Sequence, residues 1–563
     1  MKEILEEAAA LVAKAAGCSK EAATATTEVS KKFGDLTSTI AFELAKQQKK
    51  NPVELAKQIA AKIEKNKNFS KVDTVGPYIN FYFSDEFYAA AIKKILKNKE
   101  KFGKAKSTGK KMMVEYFHAN THKGVHIGHI RNISLGESLC RILEFNGHKV
   151  IRANYQGDIG PHVAKCLWGF INLYHEKAPA KNRGIWLGKV YSEASLKIKD
   201  NEALEQQVQD INLKIYAKDK HLTEIWKKTR QWCLDDLDEF YKEFGVKFNE
   251  FYFESQTEGI GKEAVLELVK RGIAKQDQGA IIMDLKDDNL GVYVLLTKEG
   301  YPLYSAKDLG LAKLKFDKYD LDRSIHVVGK EQELYFQQLF KTFEKAGMKK
   351  AAAISYHLIY ELVMLPEGKM SSREGTMVLY EDLKNRLLEL VQQEVKKRHV
   401  DWDEAKIAAT TKQIMLAAIK FSRIRRESNK TITFDWERAL SLEGDSGPYL
   451  QYAYVRTKGI LNKATFKPKV CKYSFTEDEK KLIKRLYMLP DAAGHAGESL
   501  SPHVLCDYLL ELATELNKFY TTSRVLQAEK EEERQTRLAL VAAANILLAS
   551  TLNLLGIEAP EAM

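Results

Sequence analysis

The sequence predicts a multi-domain α/β protein with an N-terminal α+β domain, a central domain on a mainly parallel sheet, and a C-terminal all-α helix bundle. Three observations carry that expectation. The chain has 563 residues and 45% hydrophobic content, enough for about three or four separate cores. From about residue 109 to 395, strand-like runs (VIRANY, AIIMDL, GVYVLLT, SIHVVG) alternate with helical patterns such as YFQQLFKTFEKAG, the signature of a parallel sheet with helices on both faces. From about 396 to 563 no convincing strand occurs, and stretches such as VLCDYLLELATELNKFYTTSRVL and RLALVAAANILLASTLNLLG are amphipathic at helical spacing.

Within the first block, 1 to 108, helical stretches such as NPVELAKQIAAKIEK alternate with one strand-like run, GPYINFYF, and the block closes on the helix FYAAAIKKILKNKEKFG. The lysine-rich run from Lys94 to Lys111 reads as a solvated linker. The opening MKEILEEAAALVAKAAG carries three glutamates and no small-residue cleavage pattern, so it reads as a folded helix rather than a leader. In the central block, residues of about 190 to 245 are charged and helical, an insertion or a helical layer on the sheet. No run approaches eighteen uninterrupted apolar residues, and no membrane span is expected. Six scattered cysteines without a CxxC pair fit a reducing cytosol and speak against a structural zinc site. The formal charge of +12 favours a polyanionic partner.

One short stretch concentrates unusual chemistry. FHANTHKGVHIGHIRN, residues 117 to 132, holds His118, His122, His126 and His129. Imidazoles at i, i+4, i+8 and i+11 would share a helical face and suit a metal. Gly124 and Gly128 interrupt any single helix through them, however. Upstream, KKMMVEYF reads as a buried strand; downstream, IRNISLGESLCRILEFNG keeps helical spacing to Gly147. A strand, a glycine-bearing turn and a helix opening form the junction where parallel sheets hold nucleotides, because the first helical N–H groups and imidazoles can donate to phosphate. A turn in which the histidines merely cap the helix is the bland alternative.

A second glycine-rich loop, LPEGKMSSREGTMV, lies downstream. The ordered pair HIGH (126–129) and KMSSR (369–373) resembles the HIGH and KMSKS motifs of class I aminoacyl-tRNA synthetases, and implies a Rossmann-like catalytic domain. The resemblance assigns catalysis to His126, His129, Lys123 and Lys369, with ATP held by these and by Gly128, Met370 and Ser371. Where the family motif has its second lysine this chain has Ser372. Arginyl-tRNA synthetases resemble it in that departure, many of them carrying a lysine just before HIGH, as Lys123 stands here. VEYFHANTHKGVHIGHIRN, YSAKDLGLA, HVVGKEQELYFQQL and LEGDSGPYLQYAYVRTKGIL are similar to segments of the same family along the whole chain.

That resemblance implies activation of L-arginine by ATP, with Mg2+ accompanying the nucleotide, and transfer to the 3′ end of tRNA by a cytoplasmic enzyme expected to be a monomer. It places the arginine pocket on Glu115, Asn120, Tyr304, Asp308 and Gln332. The side-chain types are those that a guanidinium, an ammonium and a carboxylate require. Tyr304 and Asp308 share a face if YSAKDLG begins a helix; Glu115 could instead be a strand-edge charge, Gln332 a helix cap and Tyr304 a core aromatic. In the bundle, Tyr449, Tyr452 and Arg456 suit the stacking of unpaired anticodon bases, or else a core aromatic stripe. Arg423, Arg425 and Arg426 suit phosphate contacts or a solvated face.

Overall fold

The computed structural model describes residues 1–563 except 31, 65, 365–378 and 434. The chain forms two compact units. One comprises residues 106–451, 496–506 and 553–563; the other comprises 1–105, 452–495 and 507–552.

The first unit is built on five parallel strands: β1 (Lys111–Glu115), β2 (Lys149–Gln156), β3 (Glu250–Phe253), β4 (Arg323–Gly329) and β5 (Ser355–Tyr360). Their order across the sheet is β5-β4-β1-β2-β3. β1 is therefore central, and the crevice at the carboxyl ends of β1 and β4 is where the strand order reverses, the usual ligand position in such sheets. Buried Met113, Val114, Ile151, Ala153, Ile325 and Val327 make the near-continuous apolar runs that a sheet covered on both faces demands. Helix α1 (Ile127–Phe145) follows β1 and is almost wholly buried. Its Gly136 is obligatory, since a Cβ there would lie 2.3 Å from the Tyr116 ring.

Two of the strand-like runs belong elsewhere. Ala280–Leu285 and Gly291–Leu296 pair antiparallel in a separate three-stranded sheet with Lys275–Asp277. The short turn between them leaves room only for a hairpin, because a parallel return needs a long crossover. The charged helical stretch is three helices, α2 (Arg183–Ile198), α3 (Glu202–Tyr216) and α4 (Lys220–Phe244), sharing one apolar core with residues Ile159–Phe170. Helices α5 (Glu254–Lys270) and α6 (Tyr304–Lys318) flank the arginine-pocket candidates, and α7 (Glu404–Ile424) and α8 (Gly447–Lys463) follow. Past residue 396 the described residues include one strand, Ile432–Thr433, pairing parallel with Val363–Met364. Two residues are too few to show a period.

The second unit contains a four-stranded antiparallel sheet in its first hundred residues, where sequence suggested one strand. Thr27–Val29 and Leu36–Ser38 are three residues long, and Phe69–Val75 is mostly polar, so none shows an apolar period. Its helices pack against C-terminal helices: Phe87 stacks edge-on to Tyr487 at 5.4 Å and Lys484 pairs with Asp35 at 3.3 Å. Glu531–Leu554 is long and apolar enough to cross a membrane by composition. Its Leu538, Val541, Leu547, Leu548 and Leu552 are all 0–1% exposed, as in a core helix.

Candidate active site

Beyond β1 the chain enters the histidine loop under visible constraint. Phe117 and His122 have φ of 60° and 62°, a region that non-glycine residues adopt at about 1–3 kcal/mol each. Their surroundings over-determine them. The Phe117 N–H donates to Asn132 Oδ1 at 2.6 Å and its carbonyl accepts from Asn154 Nδ2 at 2.6 Å. The Thr229 hydroxyl donates to the Ile225 carbonyl, so it accepts from His122 Nε2 at 2.8 Å, leaving Nδ1 to accept from Thr121 at 2.9 Å. Burial pushes His122 down to about 3. This histidine is a neutral pin between loop and α4, and among the described residues no three His, Cys, Asp or Glu side chains converge on a metal.

His126 and His129 open α1 with a reciprocal cap. His126 Nδ1 accepts from the Gly128 N–H at 3.1 Å, and His129 Nδ1 accepts from the His126 N–H at 3.2 Å. The capping expected as the bland alternative is thus present, and it has a chemical consequence. With both Nδ1 atoms committed as acceptors, both rings carry their proton on Nε2 and become neutral donors. Burial, reinforced by Lys123, pushes His126 down to about 4; burial, His126 and His118 put His129 well below its usual range. The ring centroids lie 3.7 Å apart with the planes tilted by 31°, and a Cβ on Gly128 would lie 3.0 Å from the His126 ring. Lys123 has no carboxylate partner among the described residues; its ammonium lies 5.1 Å from the Tyr191 ring centroid.

The arginine-pocket candidates separate by what already occupies them. Glu115, at the end of β1, is 2% exposed; its Oε2 accepts from Lys315 at 2.8 Å and its Oε1 faces His326 Nδ1 at 3.2 Å, His326 being its register partner on β4. Burial alone would raise this carboxyl, but Lys315 and His326 outweigh it and hold it well below the usual range. Tyr304 is the first residue of α6 and is 53% exposed, and Asp308 lies one turn on. One Asp308 oxygen accepts from the Tyr335 hydroxyl at 2.5 Å; the other has no protein partner among the described residues. Burial pushes Asp308 up to about 7 against that hydrogen bond, with Glu115 and Glu254 adding repulsion. Asn120 Oδ1 accepts from the Gly157 N–H at 3.1 Å. Gln332 is exposed, at the N-cap of Glu333–Lys345, with no side-chain cap bond.

Glu254 escaped the sequence reading. It begins α5, is 4% exposed, and pairs with Lys307 at 2.7 Å. In FYFES an acid at a strand-to-helix junction looks like an ordinary helix N-terminal charge. Glu115, Glu254 and Asp308 against Lys307 and Lys315 leave three carboxylates and two ammoniums, one position short of neutrality. The cavity between Glu115, Asp308, Lys315 and His326 holds about 10 Å³, too little for a guanidinium.

Lys369, Met370, Ser371 and Ser372 lie outside the described residues. On α8, Tyr449 is half-buried and Tyr452 is 38% exposed. The Arg456 guanidinium lies 5.8 Å from the Tyr452 ring and 5.0 Å from that of Tyr520, and donates to Asn517 Oδ1 at 3.0 Å. The arginine trio before it divides: Arg423 is 1% exposed, half-buried Arg425 pairs with Asp445, and Arg426 is exposed, so of the three only Arg426 fits a solvated face.

A family described as "tRNA synthetases class I (R), catalytic domain" matches residues 91–436, "Arginyl tRNA synthetase N terminal domain" matches 1–83, and "DALR anticodon binding domain" matches 450–563. The chain is 34% identical over 535 residues to the arginine–tRNA ligase of Bdellovibrio bacteriovorus, covering 93% of this chain and 91% of that one. It is 33% identical to the Methanocella arvoryzae arginine–tRNA ligase over 571 residues, the whole of both chains. The solved Thermus thermophilus arginyl-tRNA synthetase superposes with a TM-score of 0.80 at 25% identity, covering 100% of both chains.

Proposed function

Given that the chain belongs to the class I arginyl-tRNA synthetases, and so joins arginine to tRNA with ATP as the energy source, we propose that Asp308 is its guanidinium carboxylate. We further propose that His126, His129, Lys123 and Lys369 are its phosphate contacts. The observation that carries the arginine assignment is the free oxygen on Asp308 in a cluster short of one positive charge; both oxygens of Glu115 are already engaged. Tyr304 walls the entrance, while Asn120 and Gln332 serve the rest of the amino acid. In the adenylation step the arginine carboxylate attacks the α-phosphate and pyrophosphate leaves. The two Nε2–H groups donate to phosphate oxygens as charge builds, preorganised because their Nδ1 atoms are held by backbone. Gly128, Met370 and Ser371 complete the nucleotide set.

Mg2+ belongs with ATP in this reading, because a small hard cation that keeps several waters is usually bound through substrate phosphates. Residues 1–108, 109–395 and 396–563 act as tRNA-contacting, catalytic and anticodon-binding segments of a cytoplasmic monomer. Tyr449, Tyr452 and Arg456 meet tRNA.

The pH dependence of arginine use tests the assignment. Below pH 7 the free protein holds a proton on Asp308, which an arriving guanidinium must displace. From pH 7 toward 5, kcat/KM for arginine should fall by about tenfold per unit, while kcat at saturating arginine shows no histidine limb because His126 is already neutral. A flat kcat/KM for arginine would move the guanidinium away from Asp308. For the bundle, Tyr449→Ala or Tyr452→Ala should raise the KM for tRNA, through the loss of about 1–3 kcal/mol of base stacking, and leave those for arginine and ATP unchanged. Lowered Tm with unaltered tRNA kinetics in both would make these tyrosines core residues.

A further inference from the structure

The HIGH helix carries a second polar device, two residues past His129. Arg131 is 1% exposed and has no carboxylate partner among the described residues. Instead its guanidinium fork divides between two chain segments. Nη1 donates to the carbonyls of Glu361 at 2.5 Å and Leu362 at 3.3 Å; Nη2 donates to those of Ser428 at 2.9 Å, Lys430 at 2.8 Å and Glu427 at 3.4 Å. The two segments also hold each other. The Glu361 N–H donates to the Ser428 carbonyl at 2.9 Å, the Ile432 N–H to the Leu362 carbonyl at 3.2 Å, and Val363–Met364 pairs in parallel with Ile432–Thr433.

A two-residue ladder is too short to hold its own register, but five carbonyls of the two segments converge on the one buried guanidinium. Its planar geometry sets the spacing between the segments. It also ties both to the helix whose first turn holds His126 and His129. Met364 precedes Lys369 by five residues in sequence. We propose that Arg131 is a positioning residue for nucleotide activation: it fixes the strand leading toward Lys369 at a set distance from the HIGH imidazoles. The inference rests on the reading of Lys369 as a phosphate contact.

Arg131→Lys is the sharp test. An ammonium keeps the charge but is a single point, and cannot serve two segments the way a fork does. In the full chain with arginine, ATP and tRNA, this variant should lose tenfold or more in kcat/KM for ATP, with arginine affinity within twofold of the parent. Amide exchange at Glu361 and Ile432 should accelerate. Arg131→Gln, which retains an amide donor for one segment without a buried charge, should show the same split and covers the case in which the lysine variant fails to fold. Kinetics within twofold of the parent in a folded variant would overturn the proposal, whether or not exchange changes. So would equal loss toward arginine and ATP, which marks general destabilisation. Lys369→Ala, run beside them, separates the premise: if it leaves adenylate formation unchanged, the reading of Lys369 fails, and the inference with it.

Discussion

Asp308→Asn is expected to raise the KM for arginine at least a hundredfold while that for ATP stays within a few-fold. Asparagine preserves the side-chain shape and can still accept from Tyr335, but it removes the negative charge that the Lys307 and Lys315 pairs leave uncovered. With the asparagine oxygen held by Tyr335, a guanidinium would then meet an amide N–H donor in place of the free carboxylate oxygen. The expected loss is about 3 kcal/mol, the order of an uncompensated buried cation. The same geometry accounts for selectivity against lysine. The two cations carry equal charge, so the choice must come from the guanidinium fork meeting a fixed carboxylate, and a site that demands such hydrogen bonds can reject an analogue lacking them by about 10⁴. Competition between arginine and lysine should therefore relax in the variant. If arginine affinity barely moves while ATP affinity falls, Asp308 serves the nucleotide, and Glu254 with its single occupied oxygen becomes the candidate.

Lys123→Ala should depress adenylate formation by about 2–4 kcal/mol and leave arginine binding nearly intact, the effect of deleting one oriented electrostatic contact in a transition state. Lys123 sits at the mouth of the histidine turn with no carboxylate to neutralise it among the described residues, only the face of Tyr191. A lysine serving as a surface solubiliser would tolerate the change. Ser372→Lys in the same background should recover part of the loss, because it restores the cation in the other motif. Activity of Lys123→Ala within twofold of the parent would make it an ordinary surface lysine.

How much of this was legible follows the range of the interactions. The turn at 126–129 and the start of α6 at Tyr304 depend on neighbours within a few residues, and glycine spacing and apolar period reveal them. The state of Glu115 does not. Its partner Lys315 is 200 residues away, and only the fold decides that this carboxylate arrives already paired. Arg131 is similar: in HIGHIRN it reads as one more cation, while its acceptors lie 230 to 299 residues downstream. Glu254 was hidden by an ordinary local explanation. Gln332 shows the reverse difficulty, since its residue type suits the role while its exposed side chain bonds to nothing among the described residues.

The way the two units share the chain bears on the order in which they form. Most of the unit that carries the histidines is one contiguous run, 106–451, so much of its sheet can pair once that run is available. The other unit joins the first 105 residues to segments beginning at Tyr452, and contacts such as Lys484 to Asp35 close a loop of 449 residues. Loop closure of that length must precede any gain from the contact, and non-local pairing of this kind is slow. During synthesis the N-terminal sheet therefore emerges long before the helices that cover it, and must wait with Phe87 and Tyr88 unshielded while the intervening residues fold. Refolding of the intact chain should accordingly be biphasic in character, with ATP-site structure recovered ahead of the burial of those two aromatics.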